Sequence, residues 1–139
     1  MKIDQLRQKL QKMESRVLKH KAKLEQDTAE VAADIIRDRT RKGFGVDKNQ
    51  GRKTKLAALS PDYVKQRKRE GLTGKSRLTR TGQLLASIKA FRGKVILDGR
   101  RNKEVAQYVA AAGREFFHLS KAEYKRVAED LIKRVKKLI

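Results

Sequence analysis

The sequence predicts an α+β domain: a small β-sheet covered by helices, with a long helix at the N-terminal end and an amphipathic helix at the C-terminal end. Three observations carry that expectation. Helical apolar periodicity runs from Ile3 to about Asp38 without a Gly or Pro to break it. A β-rich run, Lys94-Val95-Ile96-Leu97, ends at the turn signal Asp98-Gly99. A second helical stripe, from Tyr124 to Leu138, follows a capping box at Ser120-Lys121-Ala122-Glu123.

The first of these helices divides by its own pattern. Ile3, Leu6, Leu10, Met13, Val17 and Leu24 occupy the narrow seam of a coiled coil, with His20 at the remaining seam position. Beyond Leu24 the stripe widens to Thr28, Val31, Ala32, Ile35 and Ile36, which suits packing on a globular core. Residues 1–27 are therefore expected to project from a single domain at 28–139. The seam is expected to meet another helix, either the chain's own C-terminal helix or, as the favoured partner, a neighbouring subunit, because so long a helix should outrun a small core. His20 reads as a tolerated polar seam position.

Periodicity disappears from Arg39 to Lys55, where Gly43, Gly45 and Gly51 separate basic residues. This stretch, and the region 39–59 around it, is expected to be a flexible basic loop. It lacks a Gly-x-x-x-x-Gly-Lys-Ser/Thr pattern and a preceding strand, which argues against a nucleotide-binding P-loop. Ser60-Pro61-Asp62 then reads as a helix start, with a capping serine and a proline where its missing N–H does no harm. That helix has an apolar edge at Tyr63 and Val64, with Lys65, Arg67, Lys68 and Arg69 over the rest, and ends at Gly71. Its basic face suits either a phosphate backbone or solvent.

Thr81 is placed to cap a short helix over residues 78–88 whose Leu84, Leu85 and Ile88 form one buried face. Phe91 approaches the strand at 94–97. Residues 103–112 form a small-residue helix closed by Gly113. Arg114 to Leu119 is expected to be extended, with Phe116 and Phe117 supplying a further strand or a core-plugging crossing. Tyr124, Val127, Ala128, Leu131, Ile132, Val135 and Leu138 carry the stripe of the last helix.

Composition narrows the function. One proline in 139 residues and equal 38% shares of hydrophobic and charged residues fit one domain with a modest core. Absence of cysteine excludes disulfides, thiolate metal sites and cysteine nucleophiles. His20 and His118 lie too far apart for a local metal motif, and Asp34 and Asp38, on one helical turn, read as partners of neighbouring basic side chains. No Ser–His–acid or metal-ligand pattern emerges, so no catalytic residue, metal or cofactor is expected. No apolar run is long enough to span a membrane, and the N-terminus lacks the pattern of a signal peptide; a cytoplasm-like compartment is expected.

Charge is the dominant global feature, at +21. Residues 1–36 hold 8 basic and 6 acidic groups, residues 37–80 hold 15 and 4, and residues 81–139 hold 14 and 6. Over half the excess thus sits in under a third of the chain, the mark of a surface held near polyanion, since basic side chains on phosphates release condensed counterions. A solvated basic face is the alternative.

The order of the later motifs adds a resemblance. Leu59-Ser60-Pro61 with its basic helix comes first, then Arg80-Thr81-Gly82-Gln83-Leu84-Leu85-Ala86-Ser87-Ile88. Val105-Ala106-Gln107-Tyr108 precedes Gly113, and Arg114-Glu115-Phe116-Phe117-His118-Leu119-Ser120 enters the last helix. In this order they resemble the tail-completion or neck proteins of tailed bacteriophages, also called virion morphogenesis proteins. The resemblance covers roughly residues 28–139. It implies an α+β fold assembled as a homo-oligomeric ring at the head–tail junction of the virion, built in the host cytoplasm without cofactor or membrane. Its neighbours would be portal, adaptor or tail-tube proteins and packaged double-stranded DNA. Arg39, Arg41, Lys42, Lys48, Arg52, Lys53 and Lys55 are then the candidates to face DNA or portal, together with Lys65, Arg67, Lys68 and Arg69. Arg80, Thr81, Gly82, Leu84, Ser87, Ile88, Arg114, Phe116 and Phe117 are architectural. The alternative, a sequence-independent nucleic-acid-binding protein, explains the charge but not the order of motifs.

Overall fold

The structure, a computed structural model, describes residues 2–47, 50–56, 65–66, 68–69, 71, 83–111 and 116–139. Its elements are helices α1 (Ile3–Lys19) and α2 (Lys21–Arg41), strands β1 (Phe44–Asp47) and β2 (Arg52–Lys55), and the single turn α3 (Gln83–Ala86). Strands β3 (Ile88–Phe91) and β4 (Lys94–Leu97) and helices α4 (Arg100–Ala111) and α5 (Lys121–Leu138) follow. The α+β class is as expected, with helix predominating. In place of one small sheet there are two separate antiparallel hairpins, β1–β2 and β3–β4.

The expected single N-terminal helix is two helices. His20 leaves helical geometry (φ −104°, ψ 10°), and its N–H bonds Val17 O at 3.1 Å, one residue short of the α pattern. The break falls at the polar position of the narrow seam, one turn before Leu24. It lets α2 turn its own faces to the core: Ala33 and Ile36 join Leu84, Leu85, Ile88, Leu97, Ala106 and Phe116 in one cluster. Ala32 and Ile35 meet Val127 of α5 in a second. Helix α2 is thus the shared wall of both. Its two hydroxyls in the interior are satisfied along the helix, Thr28 Oγ1 on Leu24 O and Thr40 Oγ1 on Ile36 O, both at 2.7 Å.

Among the described residues, the stretch expected to be a flexible loop forms the end of α2 and the two strands of a hairpin, a correction with a backbone cause. Gly43 (φ 90°) ends α2 and turns the chain into β1; Gly51 (φ 67°) returns it as β2. The register pairs Phe44 with Lys55, Val46 with Lys53 and Asp47 with Arg52. Val46 is buried, whereas every residue of β2 is exposed. An unalternating basic run forms a strand here because the ladder needs only its peptide groups. A backbone bond from Lys121 N to Gly51 O, 2.9 Å, ties the hairpin to the start of α5.

Two further expectations are corrected nearby. The helix read over 78–88 stops at Ala86 among the described residues, and Ile88 opens β3, fully buried. Pairing wins because Ile88-Lys89-Ala90-Phe91 alternates in burial and finds a matched partner in Lys94–Leu97. The two-residue turn between them, Arg92 (φ 49°) and Gly93 (φ 76°), has the double positive φ whose twist suits a hairpin. In α5, Tyr124 and Ile132 are exposed, not part of the buried stripe; Val127 is buried and Leu131, Val135 and Leu138 are half-buried. Packing on α2 and α1 covers a narrower arc of α5 than the apolar pattern suggested.

Other expectations hold. Strand β4, helix α4 and the capping box all form, the last with Glu123 N donating to Ser120 Oγ at 3.2 Å and Ser120 N donating to Glu123 Oε1 at 2.9 Å. Phe116 plugs the first core cluster from an irregular stretch, edge-on to Phe117 with ring centroids 6.4 Å apart. The cap Thr81 with Arg80, Gly82 and Arg114, and the helix start at Ser60, lie outside the described residues.

Replacing Phe116, 1% exposed, by alanine is expected to lower unfolding free energy by about 3–5 kcal/mol in urea denaturation. Tyr124→Ala, on the exposed side of α5, should change it by less than about 0.5 kcal/mol. Gly93→Ala should cost more than about 1 kcal/mol, because its φ is positive and its Cβ would stand 2.8 Å from Glu25 Cβ.

Candidate functional site

Basic residues after α2 separate into one that is buried and several that are not. Arg39, expected to face DNA or portal, is 5% exposed, and that expectation is corrected. Its guanidinium lies on Glu123, with Nη1 also donating to His118 O at 2.7 Å and Nη2 donating to Phe116 O. The cause is helical phase. Arg39 lies on the inward side of α2 near Ile35 and Ile36, so a long cation there must take its counter-charge into the interior. Burial pulls the Arg39 guanidinium below its ordinary value, and the charge and hydrogen bond of Glu123 oppose that pull. It remains charged at any physiological pH. Its Nε is buried and has no hydrogen-bond partner among the described residues.

The others are outside. Arg41 is exposed on the last turn of α2, 3.8 Å from Asp38, and Lys42 lies beside it. Arg52, Lys53 and Lys55 stand exposed along β2, with Lys53 Nζ 4.6 Å over the ring of Phe44. Lys65, Lys68 and Arg69 are helical and exposed, while Lys48 and Arg67 lie outside the described residues. The structure therefore collects Arg52, Lys53 and Lys55 on one short strand of a hairpin.

Of the seam, Ile3, Leu6 and Leu10 are exposed, Ile3 to 76%. Met13 and Val17 are half-buried and Leu24 is buried. Val17 and Leu24 line one groove with Leu131 and Val135 of α5, so the C-terminal end of the seam meets the chain's own last helix. Leu84, Ser87, Ile88 and Phe116 are buried and Phe117 half-buried, in keeping with an architectural role.

Several working side chains gave no sequence signal. Gln26 spans the β3–β4 turn, donating Nε2 to Ala90 O at 2.9 Å and accepting Gly93 N on Oε1 at 3.0 Å. Arg37 Nη1 donates to Ile88 O at 2.6 Å. Both occupy carbonyls on the outer edge of β3 and so close it to further strands. Glu123 was legible as a cap but not as the counter-ion of Arg39, 84 residues away. Asp34 and Asp38 do pair with basic neighbours, Arg37 and Arg41. Among the described residues no group of three His, Cys, Asp or Glu could hold a metal ion. No helix of the described residues is long and apolar enough to cross a membrane.

No family model, curated protein or solved structure matches this chain.

Glu123→Ala would leave the buried Arg39 charge unpaired and remove half of the capping box. It is expected to cost about 3–5 kcal/mol of stability, read by chemical denaturation. Arg41→Ala, at an exposed ion pair, should cost no more than about 0.5 kcal/mol in the same measurement.

Proposed function

We propose that this chain is a structural, non-enzymatic protein of a tailed-phage virion, joining or completing the head–tail interface as an oligomeric ring around the DNA path. The observation that carries the reading is the pairing of two surfaces on one small domain. One is an apolar helix stripe, Ile3, Leu6 and Leu10, that the chain leaves exposed; the other is a strand of exposed cations, Arg52, Lys53 and Lys55. The first suits a subunit contact and the second suits a polyanion. The order of motifs from Leu59 to Ser120 supports the same assignment, with portal, adaptor or tail-tube proteins as neighbours and packaged DNA in the channel.

A second reading draws on the ribbon alone: a sequence-independent nucleic-acid-binding protein that coats DNA as a monomer or dimer. Light scattering on the purified chain at low and high salt, with and without short duplex DNA, separates the two. A ring component should form one closed species whose mass does not depend on DNA. Leu6→Ser with Leu10→Ser should dissociate it and leave the helical content of the single chain unchanged by circular dichroism, since both side chains are exposed in the chain itself. A small species that coats duplex at low salt and leaves it at high salt would favour the second reading. On either reading, replacing Arg52, Lys53 and Lys55 by alanine should flatten the salt dependence of DNA binding, by about 0.9 in slope for each phosphate no longer neutralised.

A further inference from the structure

Between α2, the β1–β2 hairpin and α5 lies a groove of about 560 Å³. Arg39 sits against it with Glu123, and its apolar wall is Val31, Ile35 and Phe44. Charges along it look balanced by number but are not balanced by pairing. Asp34, Asp38 and Asp130 are each engaged by an arginine that does not line the groove, Arg37, Arg41 and Arg134. Glu123 is taken by Arg39. Left over are Lys42, Lys53, Arg126 and Lys133, none in an ion pair among the described residues, against the single carboxylate of Glu129. These cations come from three different parts of the chain and converge on one concavity beside a buried guanidinium whose Nε lacks a partner among the described residues.

We propose that this groove receives an acidic segment of a partner protein, seating one carboxylate among Lys42, Lys53, Arg126 and Lys133 and an adjacent apolar side chain on Val31, Ile35 and Phe44. Duplex DNA fits it poorly for two reasons. Duplex carries a charge about every 1.7 Å along its axis, so a phosphate placed in the groove brings its neighbours against the carboxylate of Glu129. It is also a convex rod, whereas the groove is a concavity between three elements of the fold. A peptide delivers an isolated carboxylate with an apolar neighbour, the pattern that clustered cations with an apolar wall recognise. The ribbon and this groove thus overlap at Lys53, and the groove does not depend on the virion reading.

The test is fluorescence anisotropy of a labelled peptide of repeated Glu-Leu-Glu-Gly units against the full chain. Arg126→Glu with Lys133→Glu is compared with a charge-matched control, Lys94→Glu with Lys136→Glu, exposed positions that do not line the groove. Melting temperatures check that both variants fold. The groove pair should weaken peptide binding by roughly tenfold or more, and the control by no more than about threefold. Replacing the peptide's leucines by serine should weaken binding to the unaltered chain, and short duplex should bind the groove variant nearly as well as the parent. Equal losses for the two pairs would reduce the effect to net charge and overturn the proposal. So would a larger loss of duplex than of peptide, which would make the groove a DNA site.

Discussion

The Arg39–Glu123 ion pair holds together parts of the chain that are far apart in sequence. Arg39 is on the last turns of α2, Glu123 on the first turn of α5, and the two carbonyls the guanidinium also meets belong to Phe116 and His118 in the irregular stretch before α5. Taking both charges out of water is costly, and a pair alone seldom repays that cost. Here the carboxylate also accepts Ser120 N, so one side chain closes the capping box and neutralises the cation. Phe116 enters the core next to these bonds. Its ring fills the first cluster because its own carbonyl is held from the α2 side, an arrangement that specifies position more than it adds stability.

Helix α2 distributes that constraint. Neighbouring residues of one helix, Ala32 with Ile35 and Ala33 with Ile36, serve two clusters, so any rotation of α2 would unpack both. The alanines allow the close approach that a two-stranded hairpin needs in order to be stable without a third strand. Gln26 and Arg37 complete the arrangement by occupying carbonyls on the outer edge of β3. The β3–β4 hairpin is finished by helix side chains instead of by another strand. The β1–β2 hairpin is secured differently, through Gly51 and the first peptide of α5, where Lys121 packs so closely that a Cβ at Gly51 would stand 2.8 Å from Lys121 Cγ.

Surface charge follows from these interior choices. One arginine of the basic stretch is used inside; its neighbours are displayed on a ribbon whose open end is closed by Leu56 N on Gly43 O and whose other end is tied to α5 by Lys121 N on Gly51 O. Fixed cations lose less entropy on meeting a polyanion than cations on a loose loop. Acids lie mostly on α2 and α5, close to arginines, and so soften the charge there, while β2 carries basic charge alone. The protein therefore presents two kinds of positive surface, one continuous and one interrupted by carboxylates, which suit different partners.

Periodicity and caps carried much of the fold. The wide stripe of α2, strand β4, helix α4 and the Ser120–Glu123 box are local patterns whose meaning does not depend on distant residues, and each was legible. So was the exposure of the ribbon's cations, though not the ribbon, since β2 has no apolar alternation and exists through peptide bonds to β1. Ile88 shows the limit within one residue: its burial could be read, but helix or strand was decided by whether Lys94–Leu97 lay alongside. Arg39 shows it for the candidate site. By itself the sequence determined which residues are apolar, charged or capping, and hence the helical stripes, the β-run and the concentration of positive charge. Tertiary structure alone decided which cation would be buried, because that required a carboxylate 84 residues away and two carbonyls to arrive at the same point.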